Sequence, residues 1–261
     1  MHGKSAALAA ALVSMAMLVG SLAPAAVAAK APHKAPKPPV VQVPLEGLDV
    51  SQWQGTIDWT QVAAAGKRFA LIRASAGNLT DDPKYAANRA GAKAAGLKVA
   101  AYHFGNPCNS PLFPPPCNII GDALDEAHHF LRMATPVSGE LLPILDIEVS
   151  NGLTTAELQT WVSTWLEEVR AVSGLKAMIY ASPNFWTTSM GDTTAFVAAG
   201  YNFLWIAHWG VTTPRVPAAN WGGKGWTFWQ YTSCGSVPGI SGCVDLDRYK
   251  GPTLDRALFI P

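Results

Sequence analysis

The chain has 261 residues, of which 49% are hydrophobic and 14% are charged, so it contains enough apolar residues for a sizeable buried core. Its 19 Lys and Arg residues nearly balance 18 Asp and Glu residues, and the formal net charge is +1. Proteins that bind nucleic acid carry clustered basic residues, so we expect no nucleic-acid partner. The ten Trp residues fit either ordinary core packing or a cleft in which indole faces pack against sugar rings.

The amino-terminal residues predict export. After a short basic start, residues 6–22 form an apolar run, and residues 26–28 (AVA) match the small-residue pattern of a cleavage site. We therefore expect a signal peptide over residues 1–28 and a secreted, extracellular protein. A membrane anchor is the alternative, because the apolar run approaches spanning length. Pro24 and the Ala-rich cleavage site favour removal, so we expect no stable membrane anchor.

Residues 29–44 are rich in Pro and Lys and have no apolar periodicity, which predicts an extended, semi-rigid linker. Residues 45–261 show no internal repeat and have the length of one barrel domain. We expect this domain to act as a monomer.

The four cysteines form two pairs that are close in sequence, Cys108 with Cys117 and Cys234 with Cys243. Sequence alone allows three connectivities, but an exported chain favours oxidation, and two local disulfides are the natural pairing. Neither spacing matches a zinc site, so we expect no metal and no cofactor.

From Leu45 onward, short apolar runs alternate with helical segments, a pattern typical of parallel βαβ units. The predicted strands are residues 47–50, 69–74, 98–104, 142–149, 177–181, 203–208, 227–231 and 243–246. The predicted helices are residues 59–65, 83–95, 122–134, 155–173 and 183–190. This order predicts an α/β fold, an irregular TIM-like barrel with eight strands and about five helices, whose chemistry lies at the carboxyl ends of the strands.

The motif PILDIEV at residues 143–149 contains the main catalytic candidates. On a strand, Asp146 and Glu148 share one face, while Leu145 and Ile147 share the face that packs against the helices. Two adjacent acids raise each other's pKa, so one holds its proton more readily. Glycoside hydrolysis needs such a pair, a proton donor and an ionised carboxylate. The alternative is that both acids are ordinary solvated charges. However, this apolar strand is expected to be buried on both faces, and a buried carboxylate is costly, so a functional role is favoured.

Two further acids lie at strand ends, Asp49 in the first strand and Asp245 in the last. The first and last strands of a closed barrel are neighbours, so these acids are expected to meet at one side of its mouth. We interpret Asp58 as a helix cap and Asp247 as the ion-pair partner of Arg248.

Ten motifs in order resemble glycoside hydrolase family 25, a lysozyme family, throughout the domain. They are GLDVSQWQG, IDW, FALIRAS, AGLKVAAYHF, PILDIE, MIYAS, LWIAHW, FWQYTS, VPGISG and VDLD. The resemblance implies a barrel of eight strands and about five helices. It also implies an N-acetylmuramidase that cuts the β-1,4 bond between N-acetylmuramic acid and N-acetylglucosamine, with peptidoglycan as the partner.

Residue by residue, the resemblance implies that Glu148 is the general acid and Asp146 assists the 2-acetamido group of the substrate, with Asp49 and Asp245 as the other cleft acids. Retention through an oxazolinium-like intermediate follows from this assignment, and a covalent intermediate on Asp146 is the rival mechanism. The residues expected to contact sugar are Tyr102, Tyr180, Trp209 and Gln230.

The chain departs from the family pattern in three places. Residues 73–77 lack the Lys that is frequent at the first position, where Arg73 lies, and the Glu that is frequent near the end. Asp247 replaces a frequent Asn, and the loop from Cys108 to Cys117 is an addition beside the third strand.

Two alternatives remain open at this point. One is a non-catalytic barrel that binds cell walls, which the presence of all four acids disfavours. The other is a chitinase-like N-acetylglucosaminidase, which the ordered motifs match less well.

Overall fold

A computed structural model describes residues 44–260. The predicted signal peptide (1–28) and residues 29–43 of the predicted linker lie outside the described residues. In the described part of the chain, no helix combines the length and hydrophobicity needed to cross a bilayer.

The described residues contain nine strands, and eight of them form a closed barrel. The strands are β1 (Leu45–Val50), β2 (Phe69–Ala76), β3 (Thr80–Asp81), β4 (Lys98–Phe104), β5 (Ile144–Asp146), β6 (Met178–Ala181), β7 (Leu204–Ala207), β8 (Phe228–Gly235) and β9 (Val244–Tyr249). They pair in the order β1-β9-β8-β7-β6-β5-β4-β2-β3, and the pairing of β1 with β2 closes the ring. The short strand β3 lies outside the barrel and was not predicted. The predicted fold class is confirmed.

The last strand runs against its neighbours. β9 pairs antiparallel with both β8 and β1, whereas the other barrel pairs are parallel. The expectation that the whole barrel is parallel is therefore wrong at β9. A parallel return needs a crossover of a dozen or more residues, and the connection from Gly235 to Val244 is too short for one. As a result, β9 starts at the rim where β8 ends.

Seven helices lie in the described residues. They are α1 (Trp59–Ala64), α2 (Tyr85–Ala94), α3 (Ile119–Met133), α4 (Thr155–Ser173), α5 (Pro183–Thr188), α6 (Ala195–Ala198) and α7 (Pro217–Gly222). The first five correspond to the predicted helices, and α6 and α7 are additions too short to show a helical period. The Thr154 side chain and Glu157 form a capping box that starts α4, and Gly174 ends it with a left-handed φ of 75°.

The barrel separates two apolar cores. Leu145 and Ile147 point outward and pack with the helices, while Ile144 belongs to the inner core with residues such as Met178. This alternation agrees with the faces predicted for β5 and directs Asp146 inward.

Both predicted disulfides are present, Cys108–Cys117 and Cys234–Cys243. The second connects the ends of β8 and β9 beside the rim that bears Asp245.

Candidate active site

The structure brings all eight predicted site residues together around one cavity of about 270 Å³ at the barrel mouth. They are Asp49, Tyr102, Asp146, Glu148, Tyr180, Trp209, Gln230 and Asp245. Six of the eight lie within or directly beyond parallel strands at their carboxyl ends, where this fold class concentrates its chemistry.

Asp146 and Glu148 differ in depth. Asp146 ends β5, is 6% exposed, and its Oδ1 atom has no hydrogen-bond donor among the described residues. Glu148 lies beyond the end of the strand, and its side chain is exposed at the mouth. Burial, and then the charge of Glu148, raises the pKa of Asp146 well above its usual range, and the guanidinium of Arg73 partly offsets this shift. The surrounding walls of the mouth desolvate Glu148 and raise its pKa as well.

Asp49 and Asp245 face each other on neighbouring strands. They are paired residues in the antiparallel register of β1 and β9. Asp245 therefore reaches the rim from the amino end of its strand, not from the carboxyl end as expected. Burial, and then the charge of Glu148, raises the pKa of Asp245 to about 6. Asp49 is more deeply buried, and its pKa is raised well above the usual range by burial and by the neighbouring charges of Asp247 and Asp245.

Gln230 connects the carboxylates with the aromatic wall. Its Nε2 atom donates to Asp49 Oδ2 at 2.8 Å. Its Oε1 atom accepts from the Tyr180 hydroxyl at 3.1 Å and from Trp209 Nε1 at 3.0 Å. Because the amide has both a donor and an acceptor end, these bonds fix its orientation. The orientation of Trp209 thus depends on Asp49.

Asp247 does not pair with Arg248, and that interpretation is wrong. Arg248 Nε instead donates to Glu46 at 2.9 Å. Asp247 points into the barrel with Asp245, because alternate residues of β9 share a face. It is fully buried and accepts from Trp205 Nε1 at 2.7 Å. Burial raises its pKa to about 7.

Asp58 is the helix cap that was predicted. Its Oδ1 atom accepts from the backbone N–H groups of Thr60 and Gln61 at 3.0 and 3.2 Å.

A second cavity of about 420 Å³ adjoins the first and shares Glu148, Tyr180 and Trp209 with it. Its other lining residues include Asn184 and His208. Glu148 therefore lies between two compartments of one groove. Trp209 forms a wall common to both compartments.

Sequence reasoning missed several residues of the first cavity, and the two with the clearest chemistry are Trp53 and Arg73. Trp53 is 77% exposed, which is unusual for an indole, and it lies at the rim three residues beyond the end of β1. Its position after a strand was the available signal. Arg73 was noted only as a departure from a family pattern. It is the cation that acts on Asp146, and its Nε atom donates to Asp82 at 3.0 Å.

A separate polar cluster resembles a hydrolase triad in composition but lies outside the groove. Ser75 Oγ is 2.8 Å from His103 Nδ1, and His103 Nε2 is 2.8 Å from Glu126 Oε2. All three side chains are fully buried between the barrel and α3. A nucleophile sealed in this way has no access to substrate, so the cluster stabilises the packing of α3.

A family model described as "Glycosyl hydrolases family 25" matches residues 48–240 of the chain. The chain belongs to glycosyl hydrolase family 25. This membership makes it a glycoside hydrolase of the lysozyme type, with peptidoglycan as its substrate class.

Similar proteins agree with the family 25 assignment. Lysozyme M1 of Streptomyces globisporus is 35% identical over 216 residues, which cover 79% of this chain and 68% of that protein. The N,O-diacetylmuramidase of a Chalaropsis species is 27% identical over 77% of this chain and 96% of its own. The crystal structure of a bacterial lysozyme from Streptomyces coelicolor is 33% identical, with a TM-score of 0.72 over 82% of this chain and 95% of that one.

Proposed function

We propose that this family 25 enzyme hydrolyses the β-1,4 bond between N-acetylmuramic acid and N-acetylglucosamine, with Glu148 as the general acid and then the general base. The observation that carries the proposal is the position of Glu148 between two cavities of one groove. When neighbouring sugars occupy the two cavities, the oxygen that joins them lies beside this carboxyl group. A proton donor there protonates the leaving oxygen as the bond breaks.

Asp146 assists the N-acetyl group in the first step. Asp146 lines the cavity, and its buried Oδ1 atom is held by no donor among the described residues, so the carboxylate is free to turn an oxygen toward the N–H of the substrate's 2-acetamido group. The acetamido oxygen then attacks C1 and forms an oxazolinium ring, while the bond from C1 to the leaving oxygen breaks and Glu148 supplies the proton. In the second step, water attacks C1 and Glu148 takes its proton. The ring opens, and two inversions give net retention.

Substrate binding places the proton where the first step needs it. In the free enzyme, the more deeply buried Asp146 has the more strongly raised pKa. A sugar chain in the groove removes water from Glu148 and raises its pKa, while an N–H bond to Asp146 stabilises the ionised form of that group. Both effects favour the proton on Glu148.

The rival mechanism is attack by Asp146 itself to form a covalent glycosyl-enzyme. Glycan strands whose acetamido groups have been converted to amines separate the two mechanisms. Participation of the N-acetyl group predicts a fall in kcat of about a hundredfold or more on the amine substrate, with strand binding retained. Near-normal turnover, together with an enzyme mass increased by a glycosyl adduct, would support the covalent route instead.

Analysis of new reducing ends tests the proposed bond specificity. Purified peptidoglycan is digested and reduced with borohydride, and the reduced amino sugars are identified. The proposal predicts reduced muramic acid. Reduced glucosamine would identify a chitinase-like glucosaminidase, and no new ends would identify a wall-binding barrel without activity.

We also propose that the enzyme acts outside the cell as a monomer, after removal of residues 1–28. The sequence of residues 26–28 supports the cleavage position. Amino-terminal sequencing of protein from the culture medium should begin at Ala29, and retention of the apolar run in a membrane fraction would contradict this proposal.

A further inference from the structure

One buried carboxylate receives hydrogen bonds from two parts of the groove wall. Asp82 follows β3, and its side chain is only 1% exposed. Its Oδ2 atom accepts from Arg73 Nε at 3.0 Å and from the backbone N–H of Gln52 at 2.9 Å. Asp82 is not among the residues that line either cavity. It therefore lies behind the wall and joins two segments of it.

The backbone around Asp82 holds this carboxylate in place. The N–H of Asp82 donates to the carbonyl of Ala74 on β2 at 3.0 Å. Its Oδ1 atom accepts from the backbone N–H of Lys84 at 2.9 Å. Because both carboxylate oxygens have donors, the side chain cannot turn without the loss of at least one hydrogen bond.

The bond to Gln52 completes the turn that bears Trp53. This Trp53 turn is a single 3-10 turn, Gln52–Gln54, capped by Ser51. Ser51 Oγ accepts from the N–H of Trp53 at 3.3 Å, and the N–H of Ser51 donates to Gln54 Oε1 at 2.8 Å. Neither bond uses the N–H of Gln52, and the first N–H groups of a helical turn have no partner within the turn. Asp82 supplies that acceptor, so the position of the turn depends on it.

The bond to Arg73 fixes a cation at the groove. Leu71, two residues earlier on β2, belongs to the inner core, so Arg73 also points inward, and it lines the first cavity. Of its five N–H groups, one donates to Asp82, and the part of the chain that the structure describes offers no acceptor to the other four. These donors are available to a bound sugar. The positive charge of Arg73 also opposes the rise in the pKa of Asp146.

We propose that Asp82 is a positioning residue, which fixes the Arg73 guanidinium and the Trp53 turn relative to each other from behind the groove wall. A carboxylate suits this role, because it accepts several hydrogen bonds at once and pairs with the charge of a guanidinium. Its effect on hydrolysis is indirect and passes through two residues that line the first cavity. The kinetic test of this proposal rests on the proposed function, whereas the hydrogen-exchange test does not.

Hydrogen exchange at the Gln52 amide, followed by NMR, tests the link to the turn without substrate. Asp82 accepts this N–H in the wild type, so the amide of D82A should exchange about tenfold faster or more. E140A is the matched control, because Glu140 is a buried carboxylate whose cation partners, Arg89 and Lys93, line neither cavity. It should leave exchange at Gln52 unchanged. Equal exchange at Gln52 in D82A and the wild type would overturn the proposal.

A mutant cycle tests the positioning role. In the wild-type background, we expect D82A to lower kcat/KM for peptidoglycan about tenfold or more, because Arg73 and Trp53 both lose their fixed positions. In the R73A/W53A background both dependent side chains are missing, so D82A should lower kcat/KM by less than about threefold. E140A should change kcat/KM in neither background. An equal fall in both backgrounds, or no fall in the wild type, would overturn the positioning role.

A second variant keeps both tests possible should D82A not fold. The hydroxyl of D82S replaces Asp82 Oδ1 in the local bond to Lys84, but D82S has no second oxygen for Gln52 and Arg73. The same changes in exchange and in kcat/KM are expected of it. A failed product analysis together with the expected hydrogen-exchange result would reject the proposed function alone.

Discussion

Gln230 donates a hydrogen bond to Asp49 at 2.8 Å across the barrel interior, although 181 residues separate them in the chain. The bond joins a candidate catalytic carboxylate to the residue that orients Trp209. We predict that Q230L leaves Asp49 Oδ2 without its donor and lowers the free energy of unfolding by about 1–3 kcal/mol. Urea denaturation measures this loss. Q230E puts a third carboxyl group beside Asp49, so its free energy of unfolding at neutral pH should be lower than that of Q230L. Equal stability of Q230L and the wild type would show that the bond contributes nothing.

Removal of the transferable proton at Glu148 should abolish hydrolysis without unfolding the protein. We predict that E148Q lowers kcat by about a hundredfold or more, because general acid catalysis contributes about 10²–10⁴-fold. The exposed side chain makes no bond that the fold needs, so the melting temperature should stay close to that of the wild type. The matched control is E168Q on α4, which should remain active. In the wild type, Glu168 Oε1 lies 2.7 Å from His128 Nε2. Substantial turnover by E148Q would reject its assignment as the acid.

The two exposed indoles at the mouth should contribute to binding rather than to bond cleavage. We predict that W53A and W209A each raise KM about three- to tenfold, because roughly 25–55 Å² of indole surface covered by sugar is worth about that factor at about 25 cal/mol per Å². The kcat of W53A should change little, because Trp53 lies at the rim and contacts none of the carboxylates through a hydrogen bond. L112A removes another exposed apolar side chain that lines neither cavity, and its kinetics should match those of the wild type. Kinetics of W53A equal to those of L112A would exclude Trp53 from the binding surface.

Stability should depend on pH through Asp245. The pKa of its carboxyl group is about 6 in the folded protein, whereas an unperturbed Asp has a pKa of 3.8. The folded state therefore binds more protons than the unfolded state between about pH 4 and pH 6. The stability that this difference contributes is fully present below about pH 4 and is lost as the pH rises through about 6. We predict that D245N removes this part of the pH dependence. Urea denaturation of both proteins at several pH values measures it, with D255N as the control, and identical pH profiles would contradict the raised pKa.

Local periodicity sufficed for the parts of the site that lie on one strand or in the two residues that follow it. The alternation of Leu145, Asp146, Ile147 and Glu148 correctly predicted which side chains face the mouth. It depends only on strand geometry, which neighbouring residues determine. The short helices α6 and α7 lacked such a signal, because four and six residues are too few to show a helical period.

Partners that are distant in sequence could not be predicted in this way. Arg248 adjoins Asp247 in the chain, yet its carboxylate partner is Glu46, 202 residues away. Asp247 binds Trp205 on another strand. Both contacts follow from the reversed direction of β9, and sequence periodicity does not reveal strand direction.

The position of β9 also has a consequence for biosynthesis. This strand closes the ring by pairing with both β1 and β8, yet it begins only at Val244. While the ribosome is making the earlier residues, β1 and β8 each keep one edge without a partner, and unpaired edges promote association between chains. We expect nascent chains that stop before β9 to aggregate, so this strand protects the chain during synthesis as well as supplying an acid to the cleft.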